Sequence, residues 1–202
     1  MSSKTYKWLI PVIIVVIIIF SVYSTFKNSY NRMVQYNEGV KSAWSQVENV
    51  YQRRFDLIPN LVETVKGYAA HESETLNSVA EARSKAGGVM NISDEVLKDP
   101  EAFKRFQQAQ SELSGALQRL MVISEQYPDL KANQNFLALQ DQLEGTENRI
   151  AVERKRFNDV VRIYNTYIKQ FPRMIIANMA GFDESPYFEA SDGADKVPEV
   201  KF

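Results

Sequence analysis

An uncharged apolar run near the start, residues 8–26, constrains this chain more than any other feature. Its length lies within the range of about 17 to 25 residues that a helix needs to cross a bilayer. Trp8 and Phe26 lie at its ends, as in an aromatic belt, and Pro11 and Phe20 lie within it. The run therefore predicts one transmembrane helix, with the remainder of the chain held at a membrane surface.

The alternative for this run is a cleaved signal peptide. Signal peptides have a shorter apolar region of about 7 to 15 residues and a cleavage site of small residues. Here residues 21–25 read Ser-Val-Tyr-Ser-Thr and offer no Ala-x-Ala sequence. We therefore favour the anchor over the cleaved signal.

The charges that flank the run are balanced. Lys4 and Lys7 precede it, and Lys27, Arg32 and Lys41 follow it. Orientation follows an excess of Lys and Arg on one side of the span. The charge pattern therefore leaves the orientation of the chain open.

The composition excludes several classes of chemistry. The chain of 202 residues has a net charge of −1, no cysteine and a single histidine. Disulfides, thiol catalysis and thiolate metal sites are excluded, and no strong positive field attracts nucleic acid. The part after the span has the length of one domain.

Helical periodicity dominates after the span, which predicts an all-α fold. The first soluble helix is expected from about Lys27 to Ala86, with a kink at Pro59 and an end at Gly87 and Gly88. Its apolar residues recur at spacings of three, four and seven. They are Val40, Trp44, Val47, Tyr51, Ile58, Leu61, Val65, Tyr68, Leu76 and Val79.

Two further long helices are predicted. A turn of helix is expected at Ser93, and Asp99 followed by a proline predicts a helix start, with the helix running to Tyr127. After Pro128, a third helix is expected over 129–171, across a connection so short that the two helices are antiparallel. Its core residues recur every seventh position, as in coiled coils. They are Phe136, Leu143, Ile150, Phe157, Tyr164 and Phe171.

The second core position of these heptads is polar, at Gln140, Glu147 and Arg154. Either the apolar face is narrow there, or the residues form buried polar layers that fix register. We favour the narrow face because long charged side chains reach solvent easily.

The end of the chain divides into a short fourth helix and a tail. Residues 174–179 are expected to be helical, with Gly181 as the cap. Residues 183–202 are acidic and interrupted by proline, which predicts an extended or disordered tail. The predicted parts are a flank at 1–7, the transmembrane helix at 8–26, a long bundle with a membrane-proximal stalk at 27–182, and this tail.

The helix lengths predict a bare stalk. The first soluble helix would extend ~90 Å, its return ~50 Å, and the third helix ~65 Å. Roughly ~40 Å next to the membrane would then lack a partner within the chain. An apolar stripe left bare in water marks an interaction surface, so we expect a homo-oligomer through this stalk. Its residues are Tyr30, Met33, Val40, Trp44, Val47 and Tyr51.

No motif for catalysis, cofactors or metal is present in the sequence. His71 with Glu72 and Glu74 is a compact titratable cluster that could act as a base or a weak metal site. A solvated helix surface is the favoured interpretation. Arg53 and Arg54 beside Asp56 are expected to be solvated or salt-bridged, and together with His71 and Glu72 they form a weak candidate interaction patch.

Several long blocks resemble the LemA family of bacterial membrane-anchored helical proteins. The densest is Tyr51-Gln52-Arg53-Arg54-Phe55-Asp56-Leu57-Ile58-Pro59-Asn60-Leu61-Val62. Others are Trp44-Ser45-Gln46-Val47-Glu48, Ser124-Glu125-Gln126-Tyr127-Pro128 and Glu144-Gly145-Thr146-Glu147-Asn148-Arg149-Ile150. The resemblance covers nearly the whole chain.

The resemblance implies a long antiparallel bundle behind one membrane span, with no assigned catalytic activity. It also implies a single-pass protein of the bacterial inner membrane, with the bundle on the cytoplasmic side. A membrane metalloprotease or a membrane-remodelling protein would be the partner, besides the lipid bilayer itself. Three functions follow as hypotheses: a non-enzymatic scaffold, which we favour; a membrane-shaping array; and an enzyme that uses the His71 cluster.

Overall fold

The fold is entirely helical over the residues that the structure describes. The computed structural model describes residues 3–90 and 96–189, with side chains from residue 8 onward. Within these ranges six helices and no strand are present, which confirms the predicted all-α fold. They are α1 (Ser3–Tyr68), α2 (Ser73–Met90), α3 (Pro100–Ser124), α4 (Pro128–Lys131), α5 (Gln134–Lys169) and α6 (Arg173–Ala180).

Helix α1 contains both the apolar run and a full side of the bundle. It passes through Pro11 and Pro59 without interruption. Each proline removes one backbone hydrogen bond, but the flanking turns keep theirs, so a helix continues through it at some cost. The bend expected at Pro59 stays a prediction.

The chain reverses after Tyr68, and the predicted continuous helix to Ala86 is wrong. Residues 69–72 form a turn, and α2 then packs back along α1. There Arg83 Nε donates to the carbonyl of Phe55 at 3.4 Å, and a Cβ built on Gly87 would lie 3.1 Å from the Phe55 ring. Helix α2 also continues past the expected stop at Gly87 and Gly88 and ends at Met90.

Other boundaries follow from capping. Asp99 accepts a hydrogen bond from the amide of Glu101 at 2.9 Å, which confirms the predicted start of α3. The predicted start of the third long helix was wrong by several residues, because Asn133 caps α5 and Pro128 opens only the short α4. Gly181 ends α6 with a φ of 72°, as expected. The turn expected at Ser93 lies outside the described residues.

Two antiparallel helix pairs build the bundle. Helix α5 lies along α1, with the rings of Tyr36 and Tyr167 5.0 Å apart near one end and Arg54 bonded to Glu147 near the middle. Helix α2 lies along α3. The core has two parts, one next to the span and one at the far end.

The predicted stalk is not bare, so the argument from helix lengths fails. Because α1 turns back at Tyr68 rather than Ala86, α5 is long enough to cover it almost to the span. Five of the six stalk residues are buried against α3, α5 and residues near the chain end; Tyr30 is 41% exposed and packs on Phe182. The buried five are Met33, Val40, Trp44, Val47 and Tyr51. Self-association stays a prediction, but the apolar stripe of the stalk no longer supports it.

The α1–α2 hairpin can be tested at Gly87. Leucine there would push into the Phe55 ring, and we expect a loss of about 1 to 3 kcal/mol in unfolding free energy. Gly145→Leu in α5 is the matched control because a Cβ at Gly145 has nothing within 4 Å. We expect that control to gain roughly 0.5 to 1 kcal/mol from helix propensity.

Urea unfolding of both variants in detergent, followed by circular dichroism, measures this difference. Equal stability of the two leucine variants would contradict the packing of α2 on α1.

Candidate functional site

The most unusual group in the bundle is a buried arginine. The Arg54 residue is 1% exposed although it carries a permanent positive charge. Charges of this kind are rarely buried unless they are paired and hydrogen-bonded. The sequence predicted Arg54 to be either solvated or salt-bridged; the solvated alternative is wrong, and a salt bridge to Glu147 is present.

Two other helices supply hydrogen-bond partners for the two terminal nitrogens of the Arg54 guanidinium. Its Nη1 donates to Ser114 Oγ at 2.7 Å and to Glu147 Oε1 at 2.8 Å. Its Nη2 donates to the side-chain oxygen of Gln110. The guanidinium carbon also lies 5.1 Å from the centre of the Tyr51 ring, a cation–π distance. We call Arg54, Gln110, Ser114 and Glu147 the arginine layer.

The arginine layer separates the two parts of the core. On α1 the neighbouring buried residues are Tyr51 on the membrane side and Ile58 on the far side. The same order holds on α3, with Phe106 and Leu113, and on α5, with Ile150 and Leu143. Three helices thus bring polar residues to one level: α1 and α5 contribute one each, and α3 contributes two.

The layer contains donors that its own members leave unused. Among the described residues, Arg54 Nε and Gln110 Nε2 are buried without a hydrogen-bond partner. Such groups cost free energy, of the order of 1 to 3 kcal/mol each. A further acceptor at this level would therefore stabilise the layer.

An open groove of about 340 Å³ lies beside the layer, on the α3–α5 side. Ser114 and Glu147 reach into it from the layer, and Gln118, Gln140 and Glu144 add further polar groups. The groove can accept neutral or cationic polar groups. The chemistry of the layer favours fixed charge over proton transfer, because arginine keeps its proton at all accessible pH values.

The three polar heptad positions have different surroundings. Glu147 pairs with the buried Arg54, but its own side chain is 37% exposed. Gln140 lines the groove, and Arg154 lies 4.6 Å over the Phe188 ring. Glu147 therefore reaches solvent, as the narrow-face interpretation expects, while its partner Arg54 is buried.

The other predicted patch residues do not converge on Arg54. Arg53 and Asp56 are exposed, and Asp56 accepts a hydrogen bond from Gln52 at 2.7 Å. His71 is exposed in the turn after α1.

Glu72, also in that turn, holds it against the end of α3. Tyr127 Oη donates to Glu72 Oε1 at 2.9 Å, which raises the pKa of Tyr127. Over the described ranges, no group of three or more His, Asp or Glu residues is placed to hold a metal ion.

The apolar run is exposed along α1. Trp8, Phe20 and Phe26 are 76%, 71% and 41% exposed, with no part of the bundle around the run. One described helix is long and apolar enough to cross a membrane, and it is this one.

An extended strap that the sequence interpretation left loose lies across the bundle. Residues 183–189 are neither helix nor strand, and their backbone is held by side-chain amides. Asn165 exchanges two hydrogen bonds with the backbone of Ser185, at 2.8 and 3.0 Å. Asn158 does the same with Phe188, at 2.9 Å for both bonds. The rest of the predicted tail lies outside the described residues.

Phe188 anchors this strap in the aromatic core. Its ring is 4.9 Å from that of Phe103 and 5.5 Å from that of Phe157, and it stacks on Trp44 at 6.0 Å. The residue is 6% exposed. In the sequence, Phe188 is noticeable as an aromatic residue within a polar tail. Helical periodicity cannot predict where such a residue packs.

A double-mutant cycle tests the arginine layer. Arg54→Met and Glu147→Met each leave a partner without its bond, and we expect each to cost about 1 to 3 kcal/mol. The double variant should cost less than the sum, by on the order of 1 kcal/mol, because removing both charges leaves neither unpaired.

Urea midpoints of the full chain in detergent measure this coupling. The exposed pair Arg162 and Asp159, 3.3 Å apart on α5, is the control, and its coupling should be close to zero. Additive effects of Arg54 and Glu147 would contradict a coupled layer.

The strap should loosen at alkaline pH through Tyr164. Its hydroxyl donates to the carbonyl of Asp183 at 2.8 Å, and burial, with the charge of Asp183, raises its pKa to about 12. An unfolded tyrosine titrates near 10. The stabilisation by the protonated phenol is therefore intact below pH ~10 and is lost as the pH rises toward ~12.

We expect Tyr164→Phe to be less stable than the wild type at about pH 8 and to lose this deficit above about pH 10. Thermal midpoints over that range measure it. Tyr187→Phe, at an exposed position of the same strap, should keep a constant difference. A deficit for Tyr164→Phe that does not change with pH would contradict the assignment.

Comparisons of the sequence with known proteins find relatives that match most of the chain. The chain is 26% identical to magnetosome protein MamQ 2 of Paramagnetospirillum magneticum, over 91% of this chain and 73% of that protein. It is 28% identical to magnetosome protein MamQ of Magnetospirillum gryphiswaldense, over 85% and 69%. It is 23% identical to protein LemA of Metamycoplasma hominis, over 84% and 73%.

A family model matches most of the chain, including all four residues of the arginine layer. The matched residues are 43–202, and the model is that of the LemA family. Together with the helical bundle behind one apolar helix, this match identifies the chain as a member of the LemA family.

Proposed function

We propose that this chain is a non-enzymatic scaffold, anchored in the bacterial inner membrane with its bundle on the cytoplasmic side. The observation that carries the proposal is the continuity of α1. One helix extends from the apolar run to the far end of the bundle, from Ser3 to Tyr68. The anchor and the core are therefore parts of the same rigid element.

A rigid connection has a functional consequence. An enzyme that is merely tethered to a membrane needs only a flexible linker, which lets its active site turn toward soluble substrates. A helix without a break fixes both the height and the direction of the bundle. A fixed direction is useful to a protein that presents one surface to neighbours in the same membrane.

The relatives support a role at a membrane. Two are named as magnetosome proteins, and none of the three is named as an enzyme. For this chain, the corresponding proposal is that it organises membrane proteins or membrane compartments. The His71 cluster is a weak basis for catalysis because Glu72 is engaged by Tyr127.

A flexible insertion tests the scaffold. We expect seven Gly and Ser residues after Lys27 to leave the anchor and bundle folded but to remove their rigid coupling. Crosslinking with mass spectrometry in native membranes should then lose the neighbours that the wild-type chain contacts. The control carries the same insertion between Ala70 and His71, in the exposed turn after α1, where the coupling to the span is intact.

Equal thermal midpoints of the two variants would establish that both bundles fold. If the insertion after Lys27 retained every neighbour at wild-type yield, rigid presentation would be ruled out and a simple tether favoured.

A further inference from the structure

The end of the bundle nearest the span carries a compact apolar surface that no described part of the chain covers. Helix α6 packs on the core through Ile176 and Ala177, which are 8% and 2% exposed. The residues facing away from this contact remain open. We call them the apolar foot: Phe171, Met174, Ile175 and Met179, which are 79%, 44%, 51% and 75% exposed.

The spacing of the foot is that of one helix side. Ile175 and Met179 are one turn apart, Met174 lies beside Ile175, and Phe171 lies two residues before the start of the helix. None of the eight residues of α6 is acidic. Single exposed apolar residues are common, but a group of this size marks a binding surface.

The register of α5 on α1 gives the height of the foot. Tyr36 contacts Tyr167, and ten residues of helix separate Tyr36 from Phe26, the end of the uncharged run. The contact thus lies about 15 Å beyond the run, at 1.5 Å per residue. Helix α5 continues toward the span for two more residues, to Lys169. The foot follows Lys169 and therefore lies closer still to the membrane.

One ring contact places the residues after α6 beside the first turns beyond the span. The ring of Phe182 is 5.7 Å from that of Tyr30, and α6 itself packs against α1. Ser29 is already 6% exposed, only three residues, or about 5 Å, after Phe26. The headgroup layer extends about 5 to 8 Å beyond the hydrocarbon on each side. The end of the bundle thus reaches the layer of lipid headgroups.

Lipid fits this surface better than water or a soluble partner does. Amphipathic helices bury their apolar side at the boundary between headgroups and acyl chains. Lys169 and Arg173 flank the foot, but Lys169 pairs with Glu184 at 2.6 Å and Arg173 lies 4.2 Å over the Tyr167 ring, so the apolar side chains carry the contact with lipid. The foot keeps a fixed position relative to the predicted span, because α1 joins both in one rigid unit.

From this placement we propose that the apolar foot inserts into the membrane interface, so that the bundle stands on the bilayer at a second point beside its anchor. The inference rests on the membrane anchoring in the proposed function and adds to it a lipid-binding surface. Two attachment points would hold the bundle at a fixed tilt and rotation about α1.

Site-specific fluorescence tests the foot in the full chain. The sequence has no cysteine, so each introduced cysteine is the only labelling site. We would label Ile175→Cys and Met179→Cys with an environment-sensitive dye and reconstitute them in phosphatidylcholine vesicles. The vesicles carry lipids with a nitroxide quencher near the top of the acyl chains. Val122→Cys, 61% exposed near the far end of α3, is the matched control.

We expect quenching at both foot positions roughly twofold or more above that at Val122, with a blue-shifted emission. Val16→Cys, within the span, reports on the anchor and should be quenched by nitroxides placed deeper in the acyl chains. Foot labels quenched no more than Val122, with Val16 quenched, would overturn the foot and leave the anchor intact.

An unquenched Val16 label would overturn both the anchor and the foot. A blue shift at Met179 that disappears on dilution of the protein in lipid, without nitroxide quenching, would assign the foot to a second copy of the chain and overturn lipid insertion.

Discussion

The buried charge of Arg54 is the constraint on which the bundle depends. A guanidinium in this position can be accommodated only if Gln110, Ser114 and Glu147 arrive at the same level from two other helices. Sliding α3 or α5 by one turn, about 5 Å, would separate these partners and leave the charge unpaired. Apolar layers on either side tolerate such shifts far better, because hydrophobic contacts have no direction. The arginine layer therefore favours one register of α3 and α5 on α1 over shifted registers that would bury a similar apolar area.

That register decides how near the membrane the bundle ends. With Glu147 level with Arg54, the length of α5 brings Lys169 almost to the span. Helix α2 reaches only part of the way back, since its 18 residues extend about 27 Å. Because α2 does not extend that far, the half of the bundle next to the membrane would lack a fourth side. The start of α3, the strap and α6 occupy that side. Phe188 supplies the ring that completes the aromatic cluster around Trp44.

Periodicity predicted the helical class and most of the core from sequence, because a helix face is a local property. Ile58, Leu143 and Phe157 were all placed on apolar helix faces and are buried. The end of α1 was not predicted, because α1 and α2 face the same core. The helical spacing of apolar residues therefore continues across the reversal at Tyr68. Partners of Arg54 could not be predicted either, since pairing across helices depends on register. Opposite charges at core positions, Arg54 and Glu147, were the available signal.

Rigid coupling connects these features. The unbroken α1 transmits the orientation of the span to the bundle, and the arginine layer fixes how α5 lies on α1. Through α5, the same layer sets the height of α6. An error of one helical turn at Arg54 would move the foot by about 5 Å, comparable to the whole headgroup layer outside the hydrocarbon core. The polar contacts of Arg54 in the bundle and the proposed apolar contact of the foot with the bilayer thus depend on the same register. The free energy that opposes a shift of α5 at Arg54 also keeps the foot at its height.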